Sequence, residues 1–244
     1  MTETRAENAV RSIEIAGSIA FFANAVGLPP QLDEEQIAAV AATAVAARMG
    51  RPLPVLYARQ VHGALTYTYG AEGPLPAGPR LVGSCDALIT GEVGVALLIR
   101  TADCLPVVLA GPGVAAVVHA GWRGLAADVL GAAVRRIAAE FGVSASHLTA
   151  LCGVGIGPCH YVVGDDVIRA LSARPSQASG WHAEGRVDLR AWALGRLLTL
   201  GLAAGNLSSL EGCTACDPNY HSFRRDRERA GRQWSAVVVT DEAC

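Results

Sequence analysis

Three short stretches of this sequence bring metal-competent side chains to points where extended runs end. They are QVHG (Gln60 to Gly63), TADC (Thr101 to Cys104) and HAGWRG (His119 to Gly124). His62 follows an extended run and precedes a glycine, Cys104 lies between two apolar runs, and His119 closes a run just before a glycine-bracketed turn. Two neutral imidazoles and one thiolate suit zinc, and three protein ligands leave a position for water or substrate, the pattern of a catalytic rather than a structural site. A bland reading stands beside this one. A histidine after a strand is commonly a hydrogen-bonded structural residue, and a cysteine among apolar neighbours a small buried hydrophobe. The three residues lie far apart and no compact signature links them, so spacing alone leaves both readings open.

Other residues carry weaker signals. Arg123, at the start of a helix, is a candidate to hold a phosphate, because a guanidinium and helix N-terminal N–H groups both favour anions; its alternative is an ion pair with a nearby carboxylate. Asp103, next to Cys104, is a candidate catalytic group that orients a ligand or moves a proton, or else an ordinary turn residue. Cys159 and His160 are read as substrate-facing wall, since adjacent side chains on an extended segment diverge and do not ligate together. Cys213-x-x-Cys216 has the spacing of half a structural zinc site, but no second such pair accompanies it, and it is read as structural. In the segment Arg224, Arg225, Asp226 the choice is between a buried ion pair and, through Arg224, contact with substrate.

These residues need a framework, and the pattern supplies one. Residues 34–49, EEQIAAVAATAVAARM, are alanine-rich with acids at the start and an arginine near the end, so they predict a helix stopped by Gly50 and Pro52. LPVLYARQVHGALTYTY reads as extended, and the stretch Gly70 to Pro79 as a surface loop. GVALLIR, LPVVLA and VAAVVHA read as strands packed together in the middle of a sheet. A helix is expected from Leu125 to Phe141, closed by Gly142, and another from Asp188 as N-cap; GRQWSAVVV reads as a last strand. The expected fold is α+β, mixed β-sheets flanked by helices, in a single domain over residues 1–244.

With 51% apolar and 17% charged residues, the chain has the composition of a globular protein. No segment approaches the roughly 20 apolar residues of a membrane span, and the polar opening MTETRAENAVRSIE lacks the apolar core of a secretory signal, so a cytoplasmic protein without membrane contact is expected. A net charge of −2 gives no general attraction to nucleic acid, which points to a small-molecule partner. All 20 basic residues are arginines, which excludes Schiff-base chemistry and a Walker-type phosphate loop, both of which need lysine. Six histidines, and one internal methionine at Met49, argue against a multinuclear copper centre.

The motifs QVHG, CDALIT, TADCLPVVL, VHAGWRGL, GIGPCHYVVGDDV, the DLR-initiated helix and SFRRD…GRQWSAVV resemble, in order, those of the bacterial YfiH/YlmD family, which also includes laccase domain-containing protein 1. The resemblance spans roughly residues 55–240; residues 1–54 diverge, with GSIAFFANAVGLPP where family members have a T-R-x-G-G-V-S loop. It implies a YfiH-like layered domain, monomeric or homodimeric, and places one catalytic zinc on His62, Cys104 and His119. It also implies phosphorolysis of adenosine, inosine, guanosine and S-methyl-5′-thioadenosine, together with deamination of adenosine to inosine. Alternatives are an amidohydrolase editing a peptidoglycan precursor, through zinc or a Cys104/His119 nucleophile, a copper polyphenol oxidase, and a binding module without catalysis.

Overall fold

Apolar runs this continuous must be covered on both faces, and the chain achieves this by stacking two sheets and putting helices outside each. The computed structural model describes residues 9–70, 73 and 75–241. Residues 71, 72 and 74 of the expected Gly70 to Pro79 loop, most of the polar opening stretch and Cys244 lie outside them. In chain order the first elements are β1 (Val10–Ile15), β2 (Ser18–Ala23), α1 (Glu34–Met49), β3 (Pro54–Arg59), β4 (Thr66–Tyr69), β5 (Gly78–Ser84) and β6 (Ala87–Thr90). There follow β7 (Ala96–Thr101), β8 (Leu105–Gly111), β9 (Val114–Ala120), α2 (Trp122–Ala126), α3 (Val129–Phe141), β10 (Thr149–Cys152) and α4 (Asp165–Ser172). The last are β11 (His182–Ala183), β12 (Arg186–Val187), α5 (Leu189–Thr199), β13 (Leu207–Ser209), α6 (Phe223–Asp226) and β14 (Gln233–Val239).

One sheet has the order β1-β2-β14-β7-β3-β5, the other β13-β10-β8-β9-β6-β4, and both mix parallel and antiparallel pairs. Alternation along each strand builds the layers. Leu97 and Ile99 of β7 meet Val108 of β8 and Val117 of β9 between the sheets. Ala96 and Leu98 point the other way, onto Ile37, Ala41 and Val45 of α1. Val107, Leu109 and Val118 of the second sheet pack outward on Leu130, Val134 and Trp192 of α3 and α5. The result is an α/β/β/α stack, the expected α+β architecture of mixed sheets flanked by helices. GVALLIR and its two successor strands do not share one sheet, however. The turn Ala102 to Cys104 carries the chain from the first sheet to the second, which apolar runs alone cannot reveal.

Helix α1 has the predicted limits because both ends are capped. Asp33 accepts from the Gln36 N–H at 2.8 Å while the Gln36 side chain accepts from the Asp33 N–H, and Gly50 turns left-handed at φ 70°. The helix expected over Leu125 to Phe141 is instead broken into α2 and α3. Asp128 sits between them at φ 71°, a conformation that Asp tolerates better than most residues. Its buried carboxylate accepts from Arg196 Nε and Nη2 at 3.0 and 2.9 Å and from Arg135 Nη1 at 3.1 Å. Among the described residues no helix is long and apolar enough to cross a membrane.

Because Arg196 is itself buried, Asp128→Ala leaves an uncompensated charge inside the protein and is expected to cost about 3 kcal/mol or more. Asp128→Asn, which keeps an acceptor and tolerates the left-handed backbone, should cost less. Reversible denaturant unfolding of the two variants measures the difference, and equal stabilities would show that the pair does not hold the α2–α3 corner.

Candidate metal centre and its cavity

Two of the chain's crossings between the sheets, the loop from β3 to β4 and the turn from β7 to β8, leave parallel strands at the same end of the stack. His62 lies in the first crossing and Cys104 in the second, while His119 sits near the end of β9, directly opposite Pro106 of β8. The ligand-competent atoms of His62, Cys104 and His119 all lie within 4.8 Å of one another. The two imidazole rings meet edge to face, centroids 4.8 Å apart. The three widely spaced residues therefore form one cluster, grading from exposed His62 through partly buried Cys104 to buried His119.

Asp86, just before β6, organises this cluster. Its carboxylate accepts from the backbone N–H of His62 at 2.9 Å and of Gly63 at 2.7 Å, and Oδ1 also lies 2.8 Å from His119 Nδ1. Its side chain has no exposed surface. Burial works against this charge, but the His119 ring and the two N–H groups hold the carboxyl below its ordinary pKa. An ionised Asp86 fixes a proton on His119 Nδ1 and leaves Nε2 for a ligand role, the usual support of a metal-binding histidine. Asp86 belongs to the motif CDALIT but was not singled out as a site residue; the available signal was an acid embedded in an apolar strand, which must find partners.

The sulfur is tuned as well. Burial opposes ionisation of Cys104, yet the His119 charge and hydrogen bonds from both histidines bring its pKa down to about 6. For His119, burial is outweighed by the Cys104 thiolate and Asp86, and its pKa rises to about 9. Without an ion the pair is therefore a thiolate and an imidazolium; an ion would displace the imidazole proton. Gly121 permits this packing, because a Cβ there would stand 2.8 Å from Cys104 Sγ. Gln60 locks the approach by exchanging two hydrogen bonds with the backbone of Arg100, at 2.7 and 2.9 Å.

The cluster opens into a cavity of about 930 Å³ that is rich in cations: Arg100, Arg123, Arg224, Arg227 and Arg232 all line it. Arg123 stacks over Trp122, 4.5 Å from the ring centroid, and has no ion pair among the described residues. Arg224 lies 5.2 Å over the Tyr161 ring and donates to Val162 O at 2.7 Å. Pro30 and Leu32, which belong to the divergent N-terminal region, form part of the wall. Asp103, also in the lining, has both oxygens engaged, one by Thr214 Oγ1 and one by the Arg224 N–H, each at 2.6 Å. That engagement makes it an anchor for the segment carrying Arg224. Arg225 and Asp226 do form an ion pair, at 2.8 Å, but each side chain keeps about a third of its surface exposed, so the pair is not the buried one expected.

Cys159 and His160 stand outside the cavity lining, and Tyr161, the next residue, faces it. Nor do their side chains diverge. They lie in a turn rather than an extended segment, with His160 Nδ1 3.4 Å from Cys159 Sγ, and they group with Cys213 and Cys216. The pair missing from Cys213-x-x-Cys216 is thus supplied by two adjacent residues of another loop.

Residues 25–240 match the family described as multi-copper polyphenol oxidoreductase laccase. A purine nucleoside phosphorylase of Xylella fastidiosa is 42% identical over 193 residues, covering 75% of this chain and 72% of that protein. Another purine nucleoside phosphorylase, from Streptomyces coelicolor, is 37% identical over 191 residues, covering 75% and 76%. In fold, the chain is similar to the hypothetical protein YfiH of Bacillus licheniformis, with a TM-score of 0.79 and 24% identity over 91% of this chain and 93% of that one. The crystal structure of YlmD from Geobacillus stearothermophilus gives a TM-score of 0.74 and 26% identity, with 93% of each chain covered. By sequence match and by fold, the chain belongs to the YfiH family, described as multi-copper polyphenol oxidoreductase laccase.

Proposed function

We propose that this protein is a zinc-dependent purine nucleoside phosphorylase that also deaminates adenosine to inosine. The observation that carries the reading is a His/Cys/His cluster opening directly into an arginine-lined cavity, in a chain whose relatives are named purine nucleoside phosphorylase. His62, Cys104 and His119 would hold the ion, which fits their donor set and the support of His119 by Asp86. A zinc ion there supplies Lewis-acid polarisation and makes water nucleophilic near neutral pH. Copper fits less well. The described clusters contain His62, His119 and His160 only, whereas His221 is bonded to Leu28 O and the remaining two histidines, His147 and His182, are exposed.

In phosphorolysis a phosphate oxygen bonds to ribose C1′ as the bond from C1′ to the purine N9 breaks, giving ribose 1-phosphate and the free base. Arg123, with the other cavity arginines, holds the phosphate. The departing base gathers negative charge and needs a donor. Tyr161 supplies it: burial pushes its hydroxyl well above the ordinary value, so it stays protonated and can hydrogen-bond to the base. Deamination, in which water replaces the amino group at C6 and ammonia leaves, belongs beside the metal cluster. Adenosine, inosine, guanosine and S-methyl-5′-thioadenosine are the proposed substrates.

A second reading rests on the thiolate–imidazolium pair of Cys104 and His119, which in a metal-free protein is the arrangement of a cysteine hydrolase acting on an amide. Metal removal separates the two. Stripping the protein with a chelator should abolish adenine release from adenosine and phosphate, and zinc should restore it; amide hydrolysis by the stripped protein, lost on alkylating Cys104, would favour the hydrolase.

Cys104→Ala should lose the ion of this cluster and both nucleoside activities, and turnover that survives metal loss would refute the assignment. Asp86→Asn keeps the shape but weakens the hold on His119, so zinc affinity measured by competition with a chromophoric chelator should fall roughly 10- to 100-fold. Tyr161→Phe should lower kcat for phosphorolysis roughly 100-fold with little change in KM. An unchanged kcat would remove Tyr161 from the leaving-group role.

A further inference from the structure

Strands β10 and β13 run parallel, with Cys152 opposite Ser209, so the loops that follow them leave the same edge of the sheet in the same direction. One loop delivers Cys159 and His160, the other Cys213 and Cys216. Their ligand-competent atoms all lie within 4.8 Å of one another. Cys159 Sγ is 3.5 Å from Cys216 Sγ, and His160 Nδ1 stands 3.4, 3.3 and 3.9 Å from the sulfurs of Cys159, Cys216 and Cys213. Four donors around one zinc at the usual bond lengths define a tetrahedron with edges of roughly 3.8 Å between sulfurs and roughly 3.5 Å from sulfur to nitrogen. The observed spacings are those of ligands around a single ion.

From this geometry we infer that Cys159, His160, Cys213 and Cys216 are a second metal site, closed and structural, that takes one zinc-like thiophilic divalent cation.

Burial does not explain the cluster. Cys159, His160 and Cys216 are exposed, so the thiols have not gathered there as small hydrophobes. The cysteines are free, with no disulfide among them. The backbone is shaped to the sulfurs: the Gly157 N–H donates to Cys213 Sγ at 3.1 Å, and a Cβ at Gly157 would meet Cys213 Cβ at 3.2 Å and Cys159 Sγ at 3.3 Å. Three thiolates and an imidazole are a complete structural zinc set, without the open position of the His62, Cys104 and His119 cluster.

The two loops joined here also shape the cavity wall. His160 O and Val162 O receive Arg224 Nη1 at 3.4 and 2.7 Å, Thr214 holds Asp103 beside Cys104, and Thr214 O receives Arg225 Nη1 at 2.9 Å. An ion clamping the loops fixes Arg224 and Asp103 without touching substrate. The inference is independent of which reaction the cavity performs.

The test is metal stoichiometry. Protein purified under reducing conditions is loaded with zinc alone, freed of excess by gel filtration, and measured by elemental analysis and native mass spectrometry. Two zinc ions per chain are expected in the wild type, and one each in Cys104→Ala, Cys159→Ser and Cys216→Ser. Cobalt(II) loaded into Cys104→Ala should give the intense sulfur-to-metal charge-transfer band of a tetrahedral multi-thiolate site, and that band should weaken in the double variant with Cys216→Ser. No ion in Cys104→Ala, or wild-type stoichiometry in both Cys159→Ser and Cys216→Ser, would each overturn the inference. So would a disulfide between two of these cysteines persisting in the reduced, zinc-loaded wild type.

Discussion

A buried carboxylate with no exposed surface must be surrounded by donors, and Asp86 meets that demand by gathering them from two separate parts of the chain. Its oxygens take the N–H groups of His62 and Gly63 from the first crossing between sheets, and the ring of His119 near the end of β9. His62 holds a left-handed backbone at φ 59°, which a residue with a side chain adopts at a cost of about 1–3 kcal/mol unless its surroundings impose it. The two hydrogen bonds to Asp86 are what impose it here. One acid thus fixes the turn, the ring orientation and the tautomer, and Cys104 needs only the close approach that Gly121 allows.

The second crossing is held from the opposite side. Asp103, at φ 88°, reaches away from the His/Cys/His cluster to Thr214 and to the Arg224 N–H. Adjacent residues on one turn therefore serve different neighbourhoods: Cys104 faces the two histidines, and Asp103 ties in the loop that carries Cys213 and Cys216. Geometry at Cys104 is coupled to that loop through a single residue step. It also explains why the cavity wall is built from segments so distant in sequence.

How much of this could be read beforehand varied with the range of the interactions. Helix α1 was legible to the residue because Asp33, Gln36, Glu34 and Gly50 are local signals. The break at Asp128 was not, since it depends on Arg196, 68 residues away. The division of β7, β8 and β9 between two sheets was equally hidden, because residues buried on either face look alike. His62, Cys104 and His119 were visible as metal-competent residues at strand ends, and the ordered family motifs joined them. The Cys159, His160, Cys213 and Cys216 cluster escaped for two reasons: the turn at Pro158 reverses the rule that neighbours diverge, and the pairing depends on β10 and β13 lying side by side.

The cavity arginines are not equivalent, and their anchoring sorts them. Arg100 is held by Glu34 at 3.1 Å and by Ala58 O, Arg224 by Val162 O, and Arg232 by Ala230 O and Gly231 O. These three set a fixed positive field on the cavity wall. The side chains of Arg123 and Arg227 have no hydrogen bond or ion pair among the described residues beyond the stacking of Arg123 on Trp122. Each of the three is held through one nitrogen, Nη2 of Arg100 and Nη1 of Arg224 and Arg232, so part of each fork is already engaged. Stacking leaves all five N–H groups of Arg123 free in the plane of the fork, where a phosphate oxygen can take two at once. Arg123 thus combines an uncommitted fork with a place in the cavity into which the His/Cys/His cluster opens.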